Sequence, residues 1–387
     1  YNIERKSILN NNTTYINAKA LLNLYHLSNK KHLIITGSIG SGKTTLINKL
    51  SALIYNKEYN NTICTTSHII SKKVHENVVI SSPLINNAKS AIIGHLQKEK
   101  LQTTVTNKMQ PIDNGFFEVA IPAINKFLTN KSNETYFFID ELGYLETRCI
   151  EFQNAIFTLL DNTKTIAVIR KQHTEFLDSI TSREDVLVVD IDTCLSNITC
   201  IIMASGASRR FGTNKLLTHI PNTNITLIEN AINISNYIPF SQTITTTIHK
   251  EVANICEKNH ISCALHNLPY RNDSVRMGME NITSDVNGIM FLPADQPLIS
   301  SQSMQLLCMT FNYYKDKICR LTYKDTPGSP VIFPIKYEQA LKHLPQKCGG
   351  GYIIKQNPTQ VILVPATKKE ELLDIDTPQD YTNLFTH

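Results

Sequence analysis

The chain has 387 residues, 42% of them hydrophobic and 18% charged, with a formal net charge of +5. That length accommodates two domains with separate cores, and apolar runs spread along the whole chain exclude a disordered polymer. The small charge without a basic block argues against a nucleic-acid arm, and no apolar run reaches the ~18 residues a bilayer span requires, so neither nucleic acid nor a membrane is an expected partner.

The nine cysteines are odd in number and form no C-x-x-C pair, and no H-E-x-x-H occurs. Free thiols in a reducing cytoplasm fit better than a disulfide framework or a zinc ribbon, so the expected location is cytoplasmic. The first residues, Tyr1 to Asn12, are polar, begin without Met and lack the apolar stretch of a signal peptide.

In chain order, Ile16, Ala18, Leu21, Leu22 and Leu24 mark a short amphipathic helix within 13–30. Leu33-Ile34-Ile35 follows as a strand, and Leu46, Ile47 and Leu50 repeat at helical spacing. Further apolar runs at 78–80, 136–139, 166–169 and 186–189 predict strands, with helical patterns at 117–127 and 150–160 between them. A new series opens with a strand at 198–203 and continues through strands at 243–248, 288–292, 331–333 and 361–364. Continuous apolar strands alternating with helices predict α/β architecture with mainly parallel sheets. The break at 192–197 places two domains at 1–196 and 197–387, joined by a short linker.

Each domain carries one phosphate-binding loop at a strand exit, where backbone N–H groups can converge on phosphate. The first is Gly37-Ser38-Ile39-Gly40-Ser41-Gly42-Lys43-Thr44, a complete G-x-x-x-x-G-K-S/T P-loop. Its chemistry assigns Gly37, Gly40, Ser41 and Gly42 to a backbone cradle, Lys43 to the β/γ-phosphates and Thr44 to Mg²⁺. The strand Tyr136-Phe137-Phe138-Ile139 ends in Asp140-Glu141. Asp140 would orient the Mg²⁺ shell and Glu141 would polarise the attacking water, with ATP or GTP as substrate.

Asp140-Glu141-Leu142-Gly143-Tyr144-Leu145-Glu146 resembles the D-E-I/L-G-x-L/M-E stretch of small nucleoside-triphosphatases known from thermophiles, and Gly115-Phe116-Phe117-Glu118 is similar to theirs. The resemblance covers residues 31–192, with the stretch after the P-loop a poor match. It implies a RecA-like P-loop domain that hydrolyses NTPs with broad base specificity. A nucleotide kinase is the rival, but no Arg-rich lid is found, and Arg148 and Arg170 are isolated.

The second loop runs Ala204-Ser205-Gly206-Ala207-Ser208-Arg209-Arg210-Phe211-Gly212-Thr213-Asn214-Lys215. Ala204, Ser205, Gly206, Ser208 and Gly212 allow close backbone approach to a triphosphate, and Arg209, Arg210 and Lys215 can neutralise it. G-x-S-x-R-x-G-x-x-K resembles the signature loop of MobA-like nucleotidyltransferases, and Ala204-Ser205-Gly206 with Leu216-Leu217 looks like their molybdenum cofactor cytidylyltransferase branch. Three later segments are similar in order: Arg271 to Gly278, Phe291 to Leu298 and Gly328 to Val331. The last stretch, Asp374-Ile375-Asp376-Thr377-Pro378-Gln379-Asp380, is nearly the family's D-I-D-T-P-E-D. In place of the family's G-D-x-G-A-R stands Cys348-Gly349-Gly350-Gly351-Tyr352, without the Asp or the Arg.

The resemblance implies a Rossmann-like fold over 198–387 and transfer of CMP from CTP to a molybdopterin-type cofactor, with molybdenum hydroxylases or their maturation factors as further partners. It implies Lys215 and Arg209 as charge-stabilising catalytic groups, Ser274 as a base contact and Asp295 as a Mg²⁺ ligand. Asp376 is either a second ligand or the cap of a terminal helix before Pro378. The alternatives are guanylyl transfer or transfer to a sugar or alditol phosphate, and a P-loop switch or chaperone in cofactor delivery whose transferase half only binds.

Overall fold

The computed structural model describes residues 15–55, 68–85, 89–101, 104–130 and 136–385; Cys64 and the Tyr1 to Asn12 segment lie outside them. The chain forms two compact units. One is Leu21–Asp192; the other runs from Thr193 onward together with the described residues before Leu21. Asn17 belongs to the latter, its N–H donating to Gln305 Oε1 at 2.8 Å.

The first unit follows helix α1 (Ala18–Leu27) with β1 (His32–Thr36), α2 (Lys43–Ile54), β2 (Ile69–Val74), β3 (Asn77–Ser81), β4 (Ser90–Leu101) and β5 (Thr104–Pro111). It ends with α3 (Ile121–Asn130), β6 (Tyr136–Leu142), α4 (Ile150–Asn162), β7 (Lys164–Ile169), α5 (Glu175–Thr181) and β8 (Val186–Asp190). Its eight strands are ordered β5-β4-β3-β2-β6-β7-β1-β8. The strands from β2 through β8 in that order are parallel, whereas β3, β4 and β5 extend the sheet antiparallel. The apolar runs of β1, β6 and β7 are buried along nearly their whole length, as helices on the sheet faces require. Phe116, preceding α3 in one π-helical turn, stacks on Phe152 of α4 with ring centres 4.7 Å apart, closing the core over β6.

The second unit contains β9 (Ile198–Met203), α6 (Leu227–Ser235), β10 (Gln242–Thr247), α7 (Lys250–Lys258), β11 (Ser262–Leu265), α8 (Arg271–Glu280) and β12 (Gly288–Pro293). It continues through α9 (Ser301–Tyr313), β13 (Ile318–Tyr323), β14 (Thr326–Pro334), α10 (Glu338–Lys342), α11 (Gly351–Gln356), β15 (Val361–Pro365) and α12 (Pro378–Phe385). The seven strands are ordered β11-β10-β9-β12-β14-β13-β15, with β14 antiparallel to both neighbours. From β9 the chain moves first to one side, through β10, and later to the other, through β12. The carboxyl end of β9 is therefore a switch point, the place where an open α/β sheet leaves a crevice.

Local signals agree with this layout. Thr226 and Glu229 form a reciprocal capping box on α6, and Thr174 and Ser300 cap α5 and α9. The eight described cysteines are free thiols. No helix among the described residues is long and apolar enough to cross a membrane.

Candidate functional site

In the first unit the P-loop leaves β1 and turns into α2. Gly42 sits at the start of that helix with φ 93°, a left-handed conformation that favours glycine, and contributes no side-chain cap. The first N–H groups of α2 are thus left for an anion. Lys43 is buried, and its Nζ donates to the carbonyls of Gly37 and Ser38 at 2.8 and 2.7 Å. Ser41 Oγ donates to the same Ser38 carbonyl, while Gly40 stands at the exposed tip beside Ile39. The far side of the loop is clamped by Asp192, which accepts both the N–H and the hydroxyl of Ser38 at 2.8 Å. Burial alone would raise the Asp192 carboxyl, but the Ser38 and Lys171 contacts outweigh it and hold it low.

The acidic strand arrives beside this loop. Thr44 Oγ1 donates to Asp140 Oδ1 at 3.2 Å, joining the two candidate metal-binding residues. Burial pushes the Asp140 carboxyl up to about 6, with the Thr44 bond pulling the other way. Glu141 forms an ion pair with Arg170, so Arg170 is not an isolated surface charge.

Glu146, quoted in the motif but given no role, is a residue of the first unit that sequence reasoning passed over. It is 2% exposed, its Oε2 accepts the Gly143 N–H at 2.8 Å, and burial raises its carboxyl to about 7. A carboxyl whose pKa is raised on folding contributes its stability fully below 4.5, the ordinary value, and loses it as pH rises through 7. Glu146→Gln removes that loss. We expect the variant to gain roughly 3 kcal/mol on wild type between pH 4 and pH 8. Urea denaturation of the full-length wild type and variant at pH 4 and pH 8 measures it. A uniform packing cost of the amide cancels in the difference, and parallel pH profiles would remove the buried ionisation.

In the second unit, residues from widely separated segments line one cleft of about 540 Å³ at the carboxyl end of β9. Ser205, Gly206, Ser208, Arg209, Arg210 and Lys215 come from the loop, Ser274 from the first turn of α8, Asp295 from the exit of β12, and Asp376 from the stretch before α12. Ala204 lies just beneath, buried, its carbonyl accepting from Thr247 Oγ1 at 3.0 Å. Gly212 falls in the exposed turn of the loop, outside the cleft lining.

Two histidines hold the start of the loop. His266 Nδ1 accepts the Leu268 N–H at 3.3 Å, which leaves its Nε2–H to donate to Ser205 Oγ at 3.1 Å. Burial lowers the His266 pKa, in keeping with this neutral form. His249 Nε2 lies 2.9 Å from the Gly206 carbonyl. Neither histidine stands in a recognisable motif, because the ends of β10 and β11 reach the loop only through sheet pairing.

The charged centre is Lys215. Its buried Nζ contacts Asp295 Oδ2 at 2.7 Å and Asp376 Oδ1 at 2.9 Å. Burial opposes its charge, but the two carboxylates prevail and raise its pKa. Asp376 also pairs with Arg210 at 2.7 Å and is held below the usual carboxylate range, chiefly by Lys215. The capping alternative for Asp376 does not hold: Thr377 Oγ1 accepts the Asp380 N–H at the start of α12, and Asp380 Oδ2 accepts the Thr377 N–H in return. Asp374, which had no assigned role, also lines the cleft, and its Oδ1 accepts from Gln296 Nε2 at 2.7 Å.

Among the described residues no group of three or more His, Cys, Asp or Glu is arranged to hold a metal ion. Asp295 and Asp376 nevertheless aim oxygens at one point, marked by the Lys215 ammonium. Two hard carboxylate donors suit a Mg²⁺ ion that completes its shell with water and substrate phosphate.

The segment Lys347 to Gly351 backs the cleft wall. Lys347 N–H donates to Asn272 Oδ1 at 2.9 Å, and its ammonium lies 5.7 Å from the Tyr270 ring centre.

Comparison with known proteins matches each half of the chain to a family. Residues 200–361 match the family described as MobA-like NTP transferase domain, and residues 32–201 match the family described as NTPase. The chain is 26% identical over 197 residues to a molybdenum cofactor guanylyltransferase of Helicobacter pylori, covering 48% of this chain and 91% of that protein. Among solved structures it is similar to Rv0371c from Mycobacterium tuberculosis H37Rv, with 22% identity, 49% of this chain and 99% of that chain covered, and a TM-score of 0.44. It is also similar to THEP1 from the hyperthermophile Aquifex aeolicus, with 20% identity, 41% and 89% covered, and a TM-score of 0.33.

Proposed function

We propose, for a chain in which an NTPase domain precedes a MobA-like NTP transferase domain, that the second unit transfers a nucleoside monophosphate to a phosphorylated acceptor while the first hydrolyses NTP. The observation that carries the transferase reading is the single cleft shared by the loop, Ser274, Asp295 and Asp376. An acceptor phosphate oxygen attacks the α-phosphorus, the bond from α-phosphorus to the bridging oxygen breaks, and pyrophosphate leaves with the electron pair. Such a reaction needs positioning and charge neutralisation rather than covalent catalysis. Loop N–H groups seat the triphosphate, Arg209 and Lys215 take up the growing charge, and Ser274 orients the nucleoside. A Mg²⁺ ion held by Asp295 and Asp376 would supply further positive charge at the α-phosphate.

The acceptor we propose is a molybdopterin-type cofactor, a reading supported by the family match and by the name of the Helicobacter relative. For the base we propose cytosine. The His266–Ser205 pair closes the loop start with a side chain where the guanylyl branch carries a second glycine. The Helicobacter relative favours the second reading, guanine. Incubation with molybdopterin cofactor and equal CTP and GTP, followed by mass spectrometry, is expected to give mainly the CMP adduct. Faster GMP incorporation would overturn the base choice, and no adduct with any NTP would overturn the transferase reading.

A further inference from the structure

Strand β7 lies between the P-loop strand β1 and the acidic strand β6. Val168 of β7 is level with Ile35 on one side and with Asp140 on the other. β7 ends at Ile169 and β1 at Thr36, so Arg170 and Gly37, the first residue of the P-loop, each stand just past the end of neighbouring strands, which are only about 4.8 Å apart. The ends of strands send successive side chains to opposite faces. Lys171 turns to Asp190 and Asp192, at 2.7 and 3.2 Å, and so to the carboxylate that clamps Ser38. Arg170 turns the other way, to Glu141.

Arg170 is built into this place. Its N–H donates to the Leu142 carbonyl at 2.9 Å. Its side chain passes over Gly143 so closely that a Cβ there would come within 3.0 Å of Arg170 Cδ. It remains 37% exposed, so the guanidinium keeps freedom to change partners. Its present partner is the carboxylate expected to polarise the attacking water.

Resting on the reading of the first unit as an NTP hydrolase, we infer that Arg170 is a γ-phosphate sensor that restrains Glu141 until NTP binds. The γ-phosphate draws the guanidinium off Glu141 and toward the P-loop. Glu141, released, accepts a proton from water as the water oxygen bonds to the γ-phosphorus. The bond from γ-phosphorus to the bridging oxygen breaks, and NDP leaves with the electron pair. NDP, lacking the γ-phosphate, leaves the Arg170–Glu141 pair closed.

The test compares binding of a β,γ-imido triphosphate with binding of the diphosphate, for adenosine and guanosine in parallel, in the full chain with Mg²⁺. Arg170→Gln and Arg170→Ala are each expected to weaken triphosphate binding about tenfold, the size of one charge-assisted contact, with diphosphate binding within about twofold of wild type. Glu141→Gln removes the competitor for the guanidinium. It is expected to tighten triphosphate binding severalfold, and that gain should vanish when Arg170 is also replaced. The affinity ratio is independent of the folded fraction, so partial misfolding of a variant does not mimic the result. An unchanged ratio in the Arg170 variants, or a Glu141→Gln gain that persists without Arg170, would overturn the sensor role while the hydrolase reading stands. A wild-type chain that neither binds the triphosphate nor releases phosphate from NTP would overturn the hydrolase reading and the sensor with it.

Discussion

Asp295→Asn is expected to lower Mg²⁺-dependent nucleotidyl transfer by roughly a hundred- to a thousandfold, the several kcal/mol that a metal ligand contributes at a phosphoryl site. Asn keeps the shape and still accepts from Lys215, but it removes the negative charge at the exit of β12. Asp376→Asn is expected to cause a loss of the same order, because its carboxylate faces Lys215 and Arg210 rather than the end of α12. The cap belongs to Thr377, whose hydroxyl accepts the Asp380 N–H, so Thr377→Ala should instead cost about 1 kcal/mol of stability. Single-turnover transfer from radiolabelled NTP across a Mg²⁺ titration, with circular dichroism as the folding control, separates these effects. Wild-type turnover in Asp295→Asn at every Mg²⁺ concentration would remove it as a metal ligand. A normal rate in Asp376→Asn would return that residue to a structural role.

Lys43→Ala is expected to reduce NTP hydrolysis by about a hundredfold or more, since the lysine is the phosphate-neutralising cation of the P-loop. Its ammonium now rests on the Gly37 and Ser38 carbonyls, within the loop that would surround a bound phosphate. Nucleotidyl transfer should persist, because the second cleft has its own cations in Arg209 and Lys215. Phosphate release and adduct formation measured on the same preparation decide the point. Loss of both activities together would favour the P-loop switch reading over two independent enzymes. Hydrolysis at the wild-type rate would exclude the P-loop as the hydrolytic site.

Strands written as apolar runs were legible in the sequence, the edge strands β8 and β15 among them, whereas the interior strand β13, interrupted by Arg320 and Thr322, was not expected. Leu33-Ile34-Ile35 and Phe137-Phe138-Ile139 are continuous apolar runs, and each is a buried strand paired on both sides. The antiparallel extension from β3 to β5 was only partly foreseen. Val78-Val79-Ile80 gave one strand, but that strand alternates between buried and half-buried positions, and the strands beyond it, β4 and β5, were not expected. A half-solvated sheet leaves a weaker apolar signal than a covered one, and strand pairing is not written in a local pattern. Strand β11 was missed for a related reason: it is short, stands at the sheet edge and is largely exposed.

The sequence by itself determined the two phosphate loops, the acidic strand end and the order of motifs in each half. These depend on backbone geometry and charge within a few consecutive residues: glycines where the chain must turn tightly, lysine where phosphate charge must be met. Tertiary structure alone decided what lies opposite them. Only folding brings Asp376 across 161 positions of sequence to Lys215, and Asp295 across 80. Only strand order places Arg170 beside Glu141, and only burial raises the Glu146 carboxyl to about 7. The physical reason is range. Turn geometry and helix starts are set by neighbours along the chain, whereas ion pairing and desolvation depend on which distant atoms packing brings near and how much water it removes.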